Sequence, residues 1–331
     1  MQLMDCTLRD GANVVGKGFP ADLTLMMLEG LVASKVPIIE FGNAGGIGAY
    51  EVAGFTQAET DEEYLRLVKP YLGKAEIGMF LNAKRYREAY IDMAKEGGLS
   101  FLRCGADAGD CKVAFESIKA IKARGMKAYY SAMKAYLLPP DALAVEAKQL
   151  EDIGLNQFTI MDSAGTMMPD DVSRYVEALT RTVQIPIAFH GHNNLALSAA
   201  NALAAWKSGA AILDCGLMGM ARSAGNLSTE VCVAMMQRSG EMLDIDFYKL
   251  LECVDKLSIE MKTRYDYHNS IPPFDLILGV SGTHSSFSNI FRAVATETGV
   301  SLYQLIVKVS KQNQKNPDEQ LIRAVAAQMK V

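Results

Sequence analysis

Eight times before residue 240 the chain repeats one unit: a short apolar run rich in β-branched and aromatic residues, then an amphipathic stretch of helical period. The strand candidates are residues 3–7, 38–42, 76–80, 101–104, 128–132, 158–161, 187–190 and 212–215. The helical stretches that follow them are 22–33, 61–71, 86–96, 111–123, 141–153, 169–182, 195–208 and 228–238. A strand that is followed each time by a helix must pair in parallel with the next strand, because the crossover returns the chain to the same end of the sheet.

Eight consecutive βα units predict a closed (β/α)8 or TIM barrel, an α/β fold of roughly 250 residues. An open doubly wound sheet is the competitor, and it would carry a GxGxxG fingerprint after its first strand. That place reads LRDGANVVGKG, which is not the fingerprint. The expected organisation is a catalytic barrel over 1–240 and an α-helical C-terminal region over 241–331. No long Gly/Ser linker separates the two, so the region is expected to pack on the barrel. A turn is expected at Asn269-Ser270-Ile271-Pro272-Pro273.

With 331 residues, half of them hydrophobic and 21% charged, the chain can fill a large core and is not disordered. No apolar run is long enough for a membrane span, and MQLMDCTLRD is not a secretory leader. The formal charge of −5, without a Lys/Arg block, argues against nucleic acid. Six scattered cysteines without a CxxC pair read as reduced thiols. A soluble, cytoplasmic, homo-oligomeric enzyme is the expectation.

Barrel chemistry sits where strands end. The polar residues at the expected ends are Asp5, Arg9 and Asp10; Glu40 and Asn43; Arg103 and Asp107; Asp162 and Ser163; His190 and His192; Arg222 and Asn226. His190-Gly191-His192 is the sharpest of these. Imidazoles at i and i+2 of a strand share one face and can converge on one ion. The plain alternative is one buried, hydrogen-bonded histidine beside an exposed one. Two imidazoles on a divalent ion want a carboxylate as well, and Asp10, after the first strand, is placed to provide it. Such a set suits Mn²⁺, Mg²⁺, Co²⁺ or Zn²⁺, and the sequence does not choose among them. Arg9 could grip a carboxylate or an enolate in two-point fashion, or form a surface ion pair. Ser163 could donate to a substrate carboxylate or simply serve a turn, and Asn226 could ligate or cap a helix. Met26, Met27, Met235 and Met236 read as core filling.

The runs Asp5-Cys6-Thr7-Leu8-Arg9-Asp10-Gly11 and Phe189-His190-Gly191-His192-Asn193-Asn194-Leu195 resemble the metal-dependent pyruvate aldolases of the 4-hydroxy-2-oxovalerate aldolase type. Their superfamily includes hydroxymethylglutaryl-CoA lyase and isopropylmalate synthase. Met161-Asp162-Ser163-Ala164-Gly165, Ala224-Gly225-Asn226 and Gly282-Thr283-His284-Ser285-Ser286-Phe287 extend the resemblance along most of the chain. It implies a TIM barrel, an ion on Asp10, His190 and His192 with Asn226 approaching it, Arg9 at the enolate and Ser163 at the pyruvate carboxylate. It also implies a 2-oxo acid and an aldehyde as small-molecule reactants, and an acylating aldehyde dehydrogenase as a partner that takes the aldehyde.

Two departures stand out. Where the aldolases carry a histidine base this chain has Asn13, whose amide cannot take a proton. Where they carry a tyrosine in the GVYSSF-like segment, this chain has His284. The only histidines outside the metal pair are His268 and His284, so His284 is the expected proton-transfer residue, with Asn13 and His284 both counted at the substrate. The segment Ala44-Gly45-Gly46-Ile47 alters the aldehyde side. The leading expectation is a divalent-metal lyase making or cleaving a 4-hydroxy-2-oxo acid through a pyruvate enolate. A Claisen-type enzyme joining an acyl-CoA to a 2-oxo acid, and a ligand-binding barrel without turnover, are the alternatives.

Overall fold

Parallel strands β1 (Gln2–Asp5), β2 (Ile38–Phe41), β3 (Glu76–Asn82), β4 (Phe101–Asp107), β5 (Lys127–Met133), β6 (Gln157–Asp162), β7 (Ile187–Gly191) and β8 (Ile212–Cys215) pair in chain order, and β8 closes on β1. This computed structural model describes residues 1–51, 59–267, 278 and 281–329. The helices between and after the strands are α1 (Ala21–Ala33), α2 (Asp61–Val68), α3 (Glu88–Glu96), α4 (Phe115–Ala123), α5 (Pro140–Asp152), α6 (Pro169–Thr182), α7 (Ser198–Lys207) and α8 (Thr229–Arg238). The TIM barrel read from the repeat is the observed fold.

Most boundaries differ from the sequence reading by one to three residues. The second helical stretch ends at Val68 and continues as a 3₁₀ turn, Lys69–Tyr71, because Pro70 cannot donate to an α-helical ladder. β1 stops at Asp5, two residues short of expectation, since the backbone turns at once toward the barrel mouth.

Side chains alternate across the barrel wall. Met4, Ile38, Phe101, Tyr129, Ala188 and Ile212 form an apolar cluster inside it, whereas Leu3, Ile39, Leu102 and Leu213 join the larger core beneath the helices. Two residues further along four of those strands stand Glu40, Arg103, His190 and Asp214, all buried. The same parity sends them inward, so a charged layer rests on an apolar plug. Met27 and Met236 are buried in the outer core, with Met26 and Met235 packed against it.

Beyond the barrel, α9 (Phe247–Tyr265) lies along α1 and adds Leu250, Leu257 and Met261 to the outer core. Helices α10 (Ser288–Thr298), α11 (Leu302–Ser310) and α12 (Glu319–Gln328) pack around a separate small core that contains Phe291, Leu305 and Ile322. Tyr136 Oη donates to Gly282 O at 3.2 Å and Lys134 Nζ to Lys315 O at 3.0 Å, tying this layer to the barrel mouth. The turn expected at 269–273 and His268 lie outside the described residues. Among the described residues no helix is long and apolar enough to cross a membrane.

Candidate active site

Immediately after β1 the backbone N–H groups of Arg9 and Asp10 both donate to Cys6 O, at 3.1 and 2.7 Å. This tight turn carries both side chains over the barrel axis. Asp10 Oδ1 accepts from Arg9 Nη1 at 3.0 Å, and its Oδ2 accepts from Asn226 Nδ2 at 2.8 Å. His190 Nε2 stands 3.6 Å from the same Oδ2. His192, just past the end of β7, presents its ring edge to His190 with centroids 5.3 Å apart.

One ligand atom from each of Asp10, His190 and His192 lies within 4.8 Å of the others, and all three residues are buried. An ion about 2.1 Å from each donor needs donors about 3 to 4 Å apart, so the set fits a metal with little adjustment. The buried atoms His192 Nδ1 and Asn226 Oδ1 are among those here that have no hydrogen-bond partner. Burial, helped by the neighbouring His190, Arg222 and Arg9, pushes the His192 imidazole down to about 4, so it is neutral as a ligand must be. Burial alone would push Asp10 up, but Arg9, His190, His192 and the Asn226 amide together hold it well below the carboxylate range.

Beneath the triad runs a closed ring of charged contacts. Arg9 Nε donates to Glu40 Oε1 at 2.5 Å, and Glu40 Oε2 accepts from Arg103 Nε at 2.6 Å. Arg103 Nη1 pairs with Asp214, and Asp214 Oδ2 lies 3.3 Å from His190 Nδ1. With Nδ1 donating to Asp214, His190 keeps Nε2 as a lone-pair donor toward Asp10 and any ion. A second triad, Cys6, His190 and Asp214, also has ligand spacing. Arg103 Nη2, 3.2 Å from Cys6 Sγ, already places a cation there, and burial raises that thiol far above its usual value.

The site opens into a cavity of about 190 Å³ lined by Arg9, Asp10, Ser163, His190, His192 and His284, and also by Ala44, Gly45, Phe80, Asn82, Arg85, Met133, Met161 and Arg222. Arg9 has Nε and Nη1 bound to carboxylates and its carbon 5.1 Å from the Phe80 ring centre, yet its buried Nη2 has no partner. Ser163 Oγ accepts from Lys134 N at 2.9 Å, which leaves its hydroxyl proton available. Gly165, at φ +60°, lets this turn abut the next loop: a Cβ there would lie 2.6 Å from His192 O.

His284 reaches the cavity from the C-terminal layer and is half-buried. Its Nδ1 accepts from Ser286 N at 3.2 Å and lies 2.9 Å from Ser286 Oγ. Burial, with Arg222, His192 and Lys134 adding to it, pushes this imidazole down to about 3. Asn13 is not among the cavity-lining residues. Its Nδ2 donates to Asp10 O and its Oδ1 accepts from Lys17 Nζ at 3.0 Å and Arg222 Nε at 2.9 Å.

Some expected strand-end residues lie away from the cavity. Asp162 instead accepts backbone N–H groups from Thr166 and Met167, Asp5 accepts from Thr7 N and Thr229 Oγ1, and Asn43 accepts from Gly45 N. Asp107 pairs with Lys134. Sequence reasoning passed over Asp214, although its inward parity with Ile212 was there to be read.

A parallel barrel with a buried, metal-competent carboxylate–histidine triad at the carboxyl ends of its strands defines the class of this protein. The chain belongs to the HMGL-like family, which matches residues 1–256. It is 32% identical over 309 residues to an oxaloacetate decarboxylase of Mycobacterium tuberculosis, covering 93% of this chain and 90% of that protein. It is 29% identical over 329 residues to a 4-hydroxy-2-oxovalerate aldolase of Moorella thermoacetica, covering 99% and 96%. In fold it is similar to the carboxyl transferase domain of Rhizobium etli pyruvate carboxylase, with TM-score 0.79 and 17% identity over 99% of this chain and 60% of that one.

Proposed function

We propose that this protein is a divalent-metal-dependent carbon–carbon lyase that makes or cleaves a 4-hydroxy-2-oxo acid through a pyruvate enolate. The observation that carries the reading is the buried, unpartnered Nη2 of Arg9 beside a metal-competent triad. A buried guanidinium nitrogen without a partner is costly unless a ligand oxygen supplies one. Asp10, His190 and His192 would hold the ion, manganese first, with the Asn226 amide oxygen beside it. Bound there, the ion supplies Lewis-acid polarisation of a 2-oxo group. The chain's own residues do the rest. Arg9 is held rigid by Glu40 and Asp10 and donates to the oxygen on which enolate charge collects. Ser163 donates to the carboxylate.

Cleavage sends the C3–C4 electron pair into the enolate, the C4 hydroxyl loses its proton to become a carbonyl, and C3 then takes a proton to give pyruvate. His284 is the residue for the hydroxyl proton. It must accept through Nε2, which requires Nδ1–H to donate to Ser286 Oγ instead of accepting from Ser286 N. The small cavity suits such an acid better than a CoA thioester. The aldehyde released would pass to an acylating aldehyde dehydrogenase.

A second reading is decarboxylation of a 2-oxo dicarboxylate to the same enolate, with carbon dioxide leaving. It is favoured by Asn13, whose amide is fully engaged where the aldolases place a base, and it needs no hydroxyl proton removed. The test is pyruvate release from 4-hydroxy-2-oxopentanoate and from oxaloacetate with Mn²⁺, for wild type, Arg9→Lys and His284→Ala. Arg9→Lys is expected to lower kcat about 10²-fold or more on both. Loss of turnover in His284→Ala confined to the hydroxy acid supports the lyase; no pyruvate from either acid or from 4-hydroxy-2-oxopentanedioate, with Mn²⁺ or with Mg²⁺, Co²⁺ or Zn²⁺ in its place, sinks both readings.

A further inference from the structure

Three guanidinium groups, Arg9, Arg85 and Arg222, line the cavity, against the single carboxylate of Asp10. Arg9 is matched by Glu40 and Asp10. Arg222 differs: it is half-buried, its Nε is fixed on Asn13 Oδ1, and among the described residues no carboxylate pairs with it. Burial pulls its basicity down, and repulsion from Arg9 partly cancels the attraction of Asp10, so its charge is under-compensated. The charges around it do not help. With imidazole neutral, the ring beneath the site sets Arg9 and Arg103 against Asp10, Glu40 and Asp214, one negative charge in excess. A divalent ion would turn this into one positive charge, and Arg222 makes at least two, before Arg85 on the cavity wall is counted. A monoanionic 2-oxo acid would leave one of them unbalanced.

Resting on the lyase reading above, we infer that the substrate is a 2-oxo dicarboxylate, with Arg222 as the specificity residue that binds the carboxylate remote from the 2-oxo group. Asn13 accepts the Arg222 Nε–H, so the side chain is positioned with its two terminal nitrogens left for a planar, two-point contact. The fragment released on cleavage is then itself a carbonyl acid, such as one with its carboxylate next to the aldehyde. Arg222 also weighs on the choice of reaction. Gripping a carboxylate that must depart as neutral carbon dioxide would stabilise the ground state, whereas gripping one carried on C4 leaves the breaking bond unhindered.

The test uses two unreactive probes differing only in a terminal methyl or carboxylate: 2-oxopentanoate and 2-oxopentanedioate. Their affinities for the Mn²⁺-loaded full chain are measured by calorimetry. Wild type is expected to bind the dicarboxylate about tenfold tighter or more, the scale of one charge-assisted contact. Arg222→Met should bring the two affinities together, and Arg222→Lys should keep part of the difference. Should the methionine variant not fold, Arg222→Gln, which retains a donor toward Asn13, carries the same comparison. Equal affinities in wild type, no binding of either probe, or a preference that survives loss of the charge overturns the assignment. Neither probe has a 4-hydroxyl. Absence of cleavage of 4-hydroxy-2-oxopentanedioate beside an intact binding preference would therefore sink the lyase reading and leave the role of Arg222 standing.

Discussion

Asp214 is not a cavity-lining residue and reaches the metal-competent triad through its contact with His190. Its carboxylate fixes which imidazole nitrogen carries the proton and so which one faces the ion. Asp214→Asn is expected to weaken Mn²⁺ binding about 10- to 100-fold in a protein that still folds, with His190→Ala losing more. Titration of the ion into each variant checks this; wild-type affinity in Asp214→Asn would remove the residue from the metal site. Asp10 and the two histidines were legible because the HxH pair sits where a strand ends and strand order brings Asp10 to the same mouth. Asp214 was harder to read, because a lone acid inside a strand resembles a strand boundary until its parity is compared with that of its neighbours. Asn226 was readable only as a ligand or a helix cap, and His284 depended on likeness to a family, since an asparagine before a helix and a histidine in a serine-rich turn have ordinary explanations.

Among the elements, the turn after β6 shows how a loop sets the geometry of the next one. Gly165 takes a left-handed conformation, and a Cβ placed on it would lie 2.6 Å from His192 O and 2.7 Å from Asn194 N. A methyl group there meets two difficulties at once, an unfavourable φ and a backbone contact that cannot yield. Gly165→Ala should cost about 2 kcal/mol or more, read from denaturant midpoints. A change within about 0.5 kcal/mol would show that the turn has room to shift. The strands and helices of the barrel were readable almost throughout, because amphipathic period and strand length carry the signal. Their ends were less so: capping residues, Pro70 and the tight turn at Cys6 decide those locally.

At the scale of the molecule, pH should act through buried acids outside the cavity. Burial raises Asp5 from its ordinary 3.8 to about 6, only partly opposed by its bonds to Thr229 and Thr7. A carboxyl raised in the folded state contributes stability below its unfolded value and loses it as pH climbs through the folded one. Two units correspond to about 3 kcal/mol, lost between about pH 4 and 6. Asp5→Asn removes that dependence, so its Tm relative to wild type should be higher at pH 8 than at pH 4.5. A difference in Tm that is the same at both values would show that Asp5 does not titrate as described. The ring of charges under the cavity has a consequence for how this molecule is assembled. Arg9, Asp10, Glu40, Arg103, His190 and Asp214 come from, or just after, five different strands, and their contacts cross the β8–β1 seam. No shorter continuous run of βα units can complete the circuit, because it needs both the first and the last, and each part of an open barrel would hold a buried charge without its partner. The circuit acts as a latch: the folding step that closes the cylinder also creates the metal-competent triad.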